Sequence, residues 1–251
     1  MNRYAKQIKV EGFGEETQKR LSSATVAIVG CGGLGTWQAE LLTRMGVGTL
    51  RIADGDVVSL DNLHRQILFD ERDAEEGLPK VVAAAARLKT VNRNVRVQPV
   101  AERVTRENIA AFVGDAQMVL DATDHAATRF LINDFCVSKG IPWVYAGVSG
   151  AEGMVFPVVP PDGACLRCLY PERPAEEEAA TCAVNGILPT TVALAVSLQV
   201  MQAVRILNRT AVPGTLLRLN VWEPKVRAVE VCRVQGCPCC GQKRFDFLNG
   251  T

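Results

Sequence analysis

The sequence lacks an excess of one charge. Lys and Arg number 28 and Asp and Glu 27, leaving +1 at neutral pH. That balance excludes a general nucleic-acid binder, which carries a strong basic surplus. No apolar run approaches the ~18–20 residues that a membrane-spanning helix needs. The polar start, Met1-Asn2-Arg3-Tyr4-Ala5-Lys6-Gln7, has no apolar stretch of the kind found in a secretory signal, so a cytoplasmic protein is expected. There is no internal repeat. The composition is not that of a disordered chain either: 48% of the 251 residues are hydrophobic and 22% charged, as in folded proteins. This length predicts one large domain or two small ones. An even number of cysteines is also missing. Nine cannot all pair internally, and their clustering argues, in a reducing compartment, for metal before disulfides.

Thr25 to Val29 is a compact β-branched run followed by glycines, then a helical pattern from Leu34 to about Met45 and a second strand at Thr49–Ala53. This is the βαβ signature. A short amphipathic helix at 15–23 precedes it. Residues 55–77 read as a loop, and an alanine-rich helix runs from about Pro79 to Leu88. Strands at Val95–Val100, Met118–Asp121 and Trp143–Gly147 alternate with helices near 105–113 and 125–139, which predicts a largely parallel sheet. Beyond 147 the strands Gly153–Val159, Leu216–Val221 and Val226–Val231 follow with a single long apolar helix at 187–208. Residues 171–183 are acidic and Pro-containing, the pattern of a crossing loop. The expected fold is α/β, with a Rossmann-like mixed sheet, parallel in the N-terminal half and antiparallel toward the C-terminus. It forms a single domain, 1–251, made of a nucleotide-binding half, 1–147, and a second half, 148–251.

Gly30-Cys31-Gly32-Gly33-Leu34-Gly35 fits G-x-G-x-x-G between a strand and a helix. Gly30, Gly32, Gly33 and Gly35 let the backbone turn tightly and approach phosphates, and the helix N-terminus offers N–H groups and partial positive charge. Asp54, at the end of the second strand, can accept hydrogen bonds from ribose hydroxyls. The motif alone leaves NAD and ATP open. Nucleotidyl transfer needs cations on the phosphates and a carboxylate for magnesium. Arg65 and the amides of Asn62-Leu63-His64-Arg65-Gln66, Lys80 at a helix start, and Asp124 at the ligand edge of the sheet meet that need together. Singly, each has a bland reading: a surface cation, a solvated first-turn residue, a helix cap.

Cys165-Leu166-Arg167-Cys168 and Cys237-Pro238-Cys239-Cys240 give two C-x-x-C pairs. Four thiolates, Cys165, Cys168, Cys237 and Cys240, suit a closed tetrahedral structural zinc site that clamps two distant segments. Cys31, Cys136 and Cys232 sit among apolar positions and are expected to fill the core.

Arg3-Tyr4-x-x-Gln7-Ile8, the Gly30–Gly35 turn, Asp54-x-Asp56, Asn62-Leu63-x-Arg65-Gln66, Pro79-Lys80 and Asp121-x-Thr123-Asp124 follow one another here as in the ubiquitin-activating-like adenylyltransferases. The chain resembles their bacterial MoeB, ThiF and HesA branch from Arg3 to about Gly241. Histidines stand at 64 and 125, where such proteins usually have Gln and Asn. The resemblance implies ATP-dependent activation of the C-terminal carboxylate of a small ubiquitin-like sulfur carrier ending in Gly-Gly, releasing pyrophosphate, in thiamine, molybdopterin or related cofactor synthesis. It implies that Asp54 and Asn62 hold the ribose, that Arg65 and Lys80 hold phosphate oxygens, and that Asp124 binds Mg2+. It further implies that Arg3 reaches the triphosphate of a neighbouring subunit and that the same four cysteines hold Zn2+. Asp56 and Gln66 belong to the same nucleotide-binding set.

In the related enzymes a cysteine at the position of Cys182 attacks the adenylate or a sulfur-bearing intermediate. The alternative reading is an unreactive loop thiol. The family's use of a dimer and the apolar circumference of the long helix predict a homodimer. No fused rhodanese domain is expected after Thr251, and a separate sulfur donor is expected instead. Two other readings are weighed: an NAD-dependent oxidoreductase, and a non-catalytic zinc-stabilised interaction module, against which Arg3, Arg65, Lys80 and Asp124 argue.

Overall fold

The computed structural model describes residues 2–174 and 185–250. Eight strands form one sheet in the order β3-β2-β1-β4-β5-β6-β7-β8. They are β1 (Thr25–Val29), β2 (Thr49–Ala53), β3 (Arg96–Val100), β4 (Met118–Asp121), β5 (Trp143–Ser149), β6 (Glu152–Val158), β7 (Thr215–Asn220) and β8 (Lys225–Glu230). β1 to β5 pair in parallel and β5 to β8 antiparallel, as expected. The change of direction falls at the tight turn between Ser149 and Glu152.

Helices cover both faces, as the continuous apolar runs of β1 and β4 require. The helices are α1 (Gly14–Ser23), α2 (Gly33–Met45), α3 (Glu71–Glu75), α4 (Lys80–Val91), α5 (Ile109–Val113), α6 (Ala126–Lys139), α7 (Leu166–Leu169), α8 (Pro189–Leu207) and α9 (Asp246–Asn249). One core gathers Leu42, Leu50, Ile52, Leu88, Met118 and Val196. The other gathers Val29, Ile109, Phe135, Trp143 and Phe156 with Cys165, Cys237 and Cys240.

Several expectations need correction. The 55–77 span holds a 3-10 turn at Leu60–Asn62 and the helix α3. α3 is set by a reciprocal Asp70–Asp73 capping box, a polar device that leaves no apolar period. The helix near 105–113 begins only at Ile109. Thr105 N–H donates to Asn108 Oδ1 at 2.8 Å, and Asn108 Nδ2 to the Arg103 carbonyl at 2.9 Å, which fixes 105–108 as a turn. Cys31 and Cys136 are buried as expected, but Cys232 is exposed, because it follows the edge strand β8, all of whose residues are exposed.

By length and composition α8 could cross a membrane, contrary to the expectation that no apolar run does so. Half of its most apolar window is buried, and it packs against α2, β5 and β6. Much of the apolar circumference that suggested a subunit contact thus serves the chain's own core, while Met201 remains 45% exposed.

Candidate active site

In a parallel sheet the ligand edge lies at the strand C-termini, where the strand order reverses. Here that point is between β1 and β4. β1 runs into Gly30, and β4 into Ala122, Thr123 and Asp124. The two ends lie against each other: a Cβ at Gly30 would sit 2.6 Å from the Ala122 carbonyl oxygen, and Gly30 has φ +102°. Only glycine fits both demands. A Cβ at Gly35 would strike the Gly30 carbonyl, so this glycine lets α2 pack on the turn. Gly32 caps α2, whose first residues, Gly33 and Leu34, line the pocket.

This pocket, of about 520 Å³, is lined by Gly30, Gly32, Gly33, Asp54, Asp56, Asn62, Arg65, Gln66, Lys80 and Asp124, together with both histidines, Arg103 and Arg129. The sequence-predicted nucleotide residues meet there except Gly35, which packs beneath. Asp54 lies just beyond β2. Its carboxylate accepts the Cys31 N–H at 2.6 Å and the Asp56 N–H at 2.8 Å, so it braces the glycine turn. Arg65 is held by the Asp61 carbonyl at 3.1 Å and Asn62 Oδ1 at 3.3 Å. Gln66 is buried, and its Oε1 has no partner among the described residues, an acceptor left for a ligand's donor.

Lys80 opens α4 with its side chain only 8% exposed, its Nζ 3.1 Å from Asp56 Oδ2. Arg103 Nη2 lies 2.9 Å from Asp56 Oδ1. The Asp56 carboxyl is held below the usual range, first by the Arg103 hydrogen bond and also by Lys80. Asp124 stands at the mouth with its side chain 85% exposed, and His125 Nε2 is 3.6 Å from its Oδ1.

Behind the mouth, Asp121 is fully buried, and burial pushes its carboxyl up to about 6 despite Arg129. Arg129 Nε reaches Asp121 Oδ2 at 3.2 Å, its Nη2 donates to the Thr123 carbonyl at 2.7 Å, and its guanidinium sits 5.3 Å above the Tyr145 ring. Gln38 and Gln199, from α2 and α8, both donate to the Asp121 carbonyl at 2.9 Å. Arg103 and Arg129 were missed in the sequence. The usable signal for Arg103 was its place three residues beyond the end of β3, at the ligand edge of the sheet.

A second, larger cavity of about 1060 Å³ continues from the pocket along β5, β6 and β7. The two share Arg103, Asp124, His125, Thr128 and Arg129 among their lining residues. Gly147 and Gly153 line this groove. A Cβ at Gly147 would lie 2.5 Å from the Tyr145 hydroxyl.

Arg3 does not join the pocket of its own chain. Its Nη1 donates to the Val91 carbonyl at 3.0 Å, at the far end of α4 from Lys80, about 16 Å along the helix. Cys182 lies outside the described residues.

The four expected cysteines converge, with Sγ atoms all within 4.8 Å of one another. Cys165–Cys237 and Cys168–Cys240 sulfurs are 3.6 and 3.4 Å apart. Tetrahedral zinc with bonds of about 2.3 Å spaces its sulfurs by about 3.8 Å, so the donor set fits. The hydrogen bond with Cys165, and then burial, push the Cys168 thiol up to about 12, a cost that a bound divalent cation reverses. Cys239 is not one of these four, and Asn133 Nδ2 lies 3.2 Å from its Sγ.

Fold and pocket define a nucleotide-binding enzyme of the adenylyltransferase class: a glycine turn on a helix N-terminus, cations around it, and an exposed carboxylate beside it. Residues 4–239 match the ThiF family, and the chain belongs to it. It is 38% identical over 250 residues to a Bacillus subtilis sulfur carrier protein ThiS adenylyltransferase, covering 98% of this chain and 74% of that protein. The Escherichia coli protein of the same name is 35% identical, with 97% and 96% covered. The crystal structure of Escherichia coli MccB with ATP shares the fold at TM-score 0.82 and 22% identity, covering 96% of this chain and 75% of that one.

Proposed function

We propose that this adenylyltransferase activates the C-terminal glycine carboxylate of a small ubiquitin-like sulfur carrier ending in Gly-Gly, for sulfur transfer in thiamine, molybdopterin or related cofactor synthesis. The observation that carries the reading is the continuity of the two cavities: a nucleotide pocket opens, at Asp124, into a glycine-lined groove suited to an extended tail. A carrier carboxylate oxygen attacks the α-phosphorus of ATP. The new O–P bond forms as the bond to pyrophosphate breaks, and pyrophosphate leaves with the electron pair. No side chain need form a covalent bond. Arg65 and Lys80 hold phosphate oxygens, Asp54 and Asn62 the ribose region, and the rate comes from positioning and charge stabilisation.

Asp124 fits a magnesium ligand, being an exposed carboxylate at the mouth. The ion, when bound, neutralises charge on the phosphates. Cys165, Cys168, Cys237 and Cys240 fit structural zinc. Cys182 serves the later thiol chemistry, with sulfur from a separate donor. A homodimer brings Arg3 of one protomer to the pocket of the other, like an arginine finger. The remoteness of Arg3 from its own pocket and the exposed Met201 on α8 support that arrangement.

The test is ATP–pyrophosphate exchange. Exchange that requires both magnesium and a Gly-Gly carrier is expected. Hydride transfer with NAD and no exchange would reject the reading, and nucleotide binding without adenylate formation would leave an interaction module.

A further inference from the structure

Where the groove meets the pocket, an incoming carboxylate must pass Asp124, a charge of its own sign. Two guanidinium groups stand at that junction. Arg129 is 20% exposed and committed to Asp121 and to the Thr123 carbonyl. Arg103 is 65% exposed in its side chain and lines both cavities. Asp56 engages its Nη2 from the pocket side. A guanidinium offers five N–H donors in a planar fork, so it can take a second carboxylate on its groove side. Its stem rests on Gly55, where a Cβ would meet Arg103 Cγ at 2.8 Å. The glycine thus lets the side chain lie across the junction.

We propose that Arg103 receives the terminal carboxylate of the substrate tail and holds it beside the α-phosphorus, while Asp56 keeps the guanidinium in place. Arg103 binds the attacking group and forms no bond to it. The charge-assisted pair orients one carboxylate oxygen for attack and offsets repulsion by Asp124. The inference rests on the carrier reading above.

The experiment compares wild type, Arg103→Ala and Arg103→Lys. The probe is recombinant ThiS, together with each other small Gly-Gly-ending protein from the same genome. Each is made with its natural C-terminal acid and with that acid converted to an amide. Binding is measured without ATP, and ATP binding separately. Wild type should prefer acid to amide. Arg103→Ala should lose about tenfold in affinity for the acid, bind the amide as wild type does, and keep ATP affinity within about twofold. Arg103→Lys should restore part of the preference.

Equal loss for acid and amide would make Arg103 a shape-giving residue and overturn the proposal. So would a fall in ATP affinity, which would mean that it acts through Asp56 and Lys80, or no change at all. If wild type shows no carrier-dependent exchange with any of these proteins, the carrier reading itself falls. Exchange by wild type with an unchanged acid preference in Arg103→Ala rejects only the role of Arg103.

Discussion

Removing metal from the cysteine cluster should destabilise the fold by an amount the topology sets. Cys165 and Cys237 are 72 residues apart, and the cluster ties the start of α7 to the segment before α9. Closing a 72-residue loop in the unfolded chain is worth about 4 kcal/mol by the cross-link entropy relation. For a chain of 251 residues, the unfolding entropy near the midpoint is about 0.5 kcal/mol/K, so the shift in Tm should be roughly 8 °C. Pushed-up thiols such as Cys168 no longer have to ionise when the metal leaves, which reduces the effect in part. The assay pairs elemental analysis with calorimetry before and after chelation, and repeats both on the variant with all four cysteines changed to serine. One zinc per chain is expected, lost together with the thermal stability. Cys232→Ser is the control: that thiol is exposed and outside the cluster, so both readings should stay unchanged. A four-serine variant that melts at the wild-type temperature would refute the reasoning.

Asp124→Asn keeps shape but removes the charge a magnesium ion needs, and ATP–pyrophosphate exchange should fall by roughly a hundredfold or more. Wild-type exchange in that variant would reject the metal role. Cys182→Ser should leave exchange within about threefold, since a thiol is not needed for a carboxylate to attack phosphorus. The same variant should lose a carrier–enzyme adduct or complete sulfur transfer, and retention of both would drop the nucleophile assignment. Asp121 should give an inverted pH dependence. Its folded pKa is raised from 3.8 to about 6, so its contribution to stability is full below about pH 4 and is lost as pH climbs through about 6. The stability of wild type minus that of Asp121→Asn, from urea unfolding, should therefore fall between pH 4 and 7, by of the order of 2–3 kcal/mol. A difference that grows with pH would mean that Arg129 outweighs burial.

The strands β1 and β4 stand at the residues their short apolar runs indicate, because both faces of those strands are buried, and β2 does so although Arg51 interrupts its run. The glycine turn was legible for a similar reason: backbone demands at Gly30 leave one residue type. α3 and the start of α5 were not legible, since they are fixed by side-chain caps at Asp70 and Asn108. The apolar surplus of α8 was visible, but not its use. α2, β5 and β6 supply the partners, and they come from distant parts of the chain. Within the site, the four cysteines could be chosen by spacing, and Lys80 and Asp124 by their places at a helix start and a strand end together with the family resemblance. Arg103 could not, because its significance comes from Asp56, 47 residues earlier, and from a groove that exists only once β5, β6 and β7 are side by side.

α6 starts at the mouth of the nucleotide pocket, directly after Asp124 and His125. Two turns further on, Asn133 accepts the Leu166 N–H at 2.9 Å beside the cysteine cluster and donates toward Cys239, while Asp134 accepts the Phe247 N–H at 3.0 Å. The helix is therefore a rigid rod of about 12 Å from His125 to Asn133, moored at one end by the knot of cysteines and steering the pocket rim with the other. Slackening the mooring lets the rod tilt. Chelation should then blur the placement of Asp124 and weaken adenylation at temperatures well below melting, although the four cysteines line neither cavity.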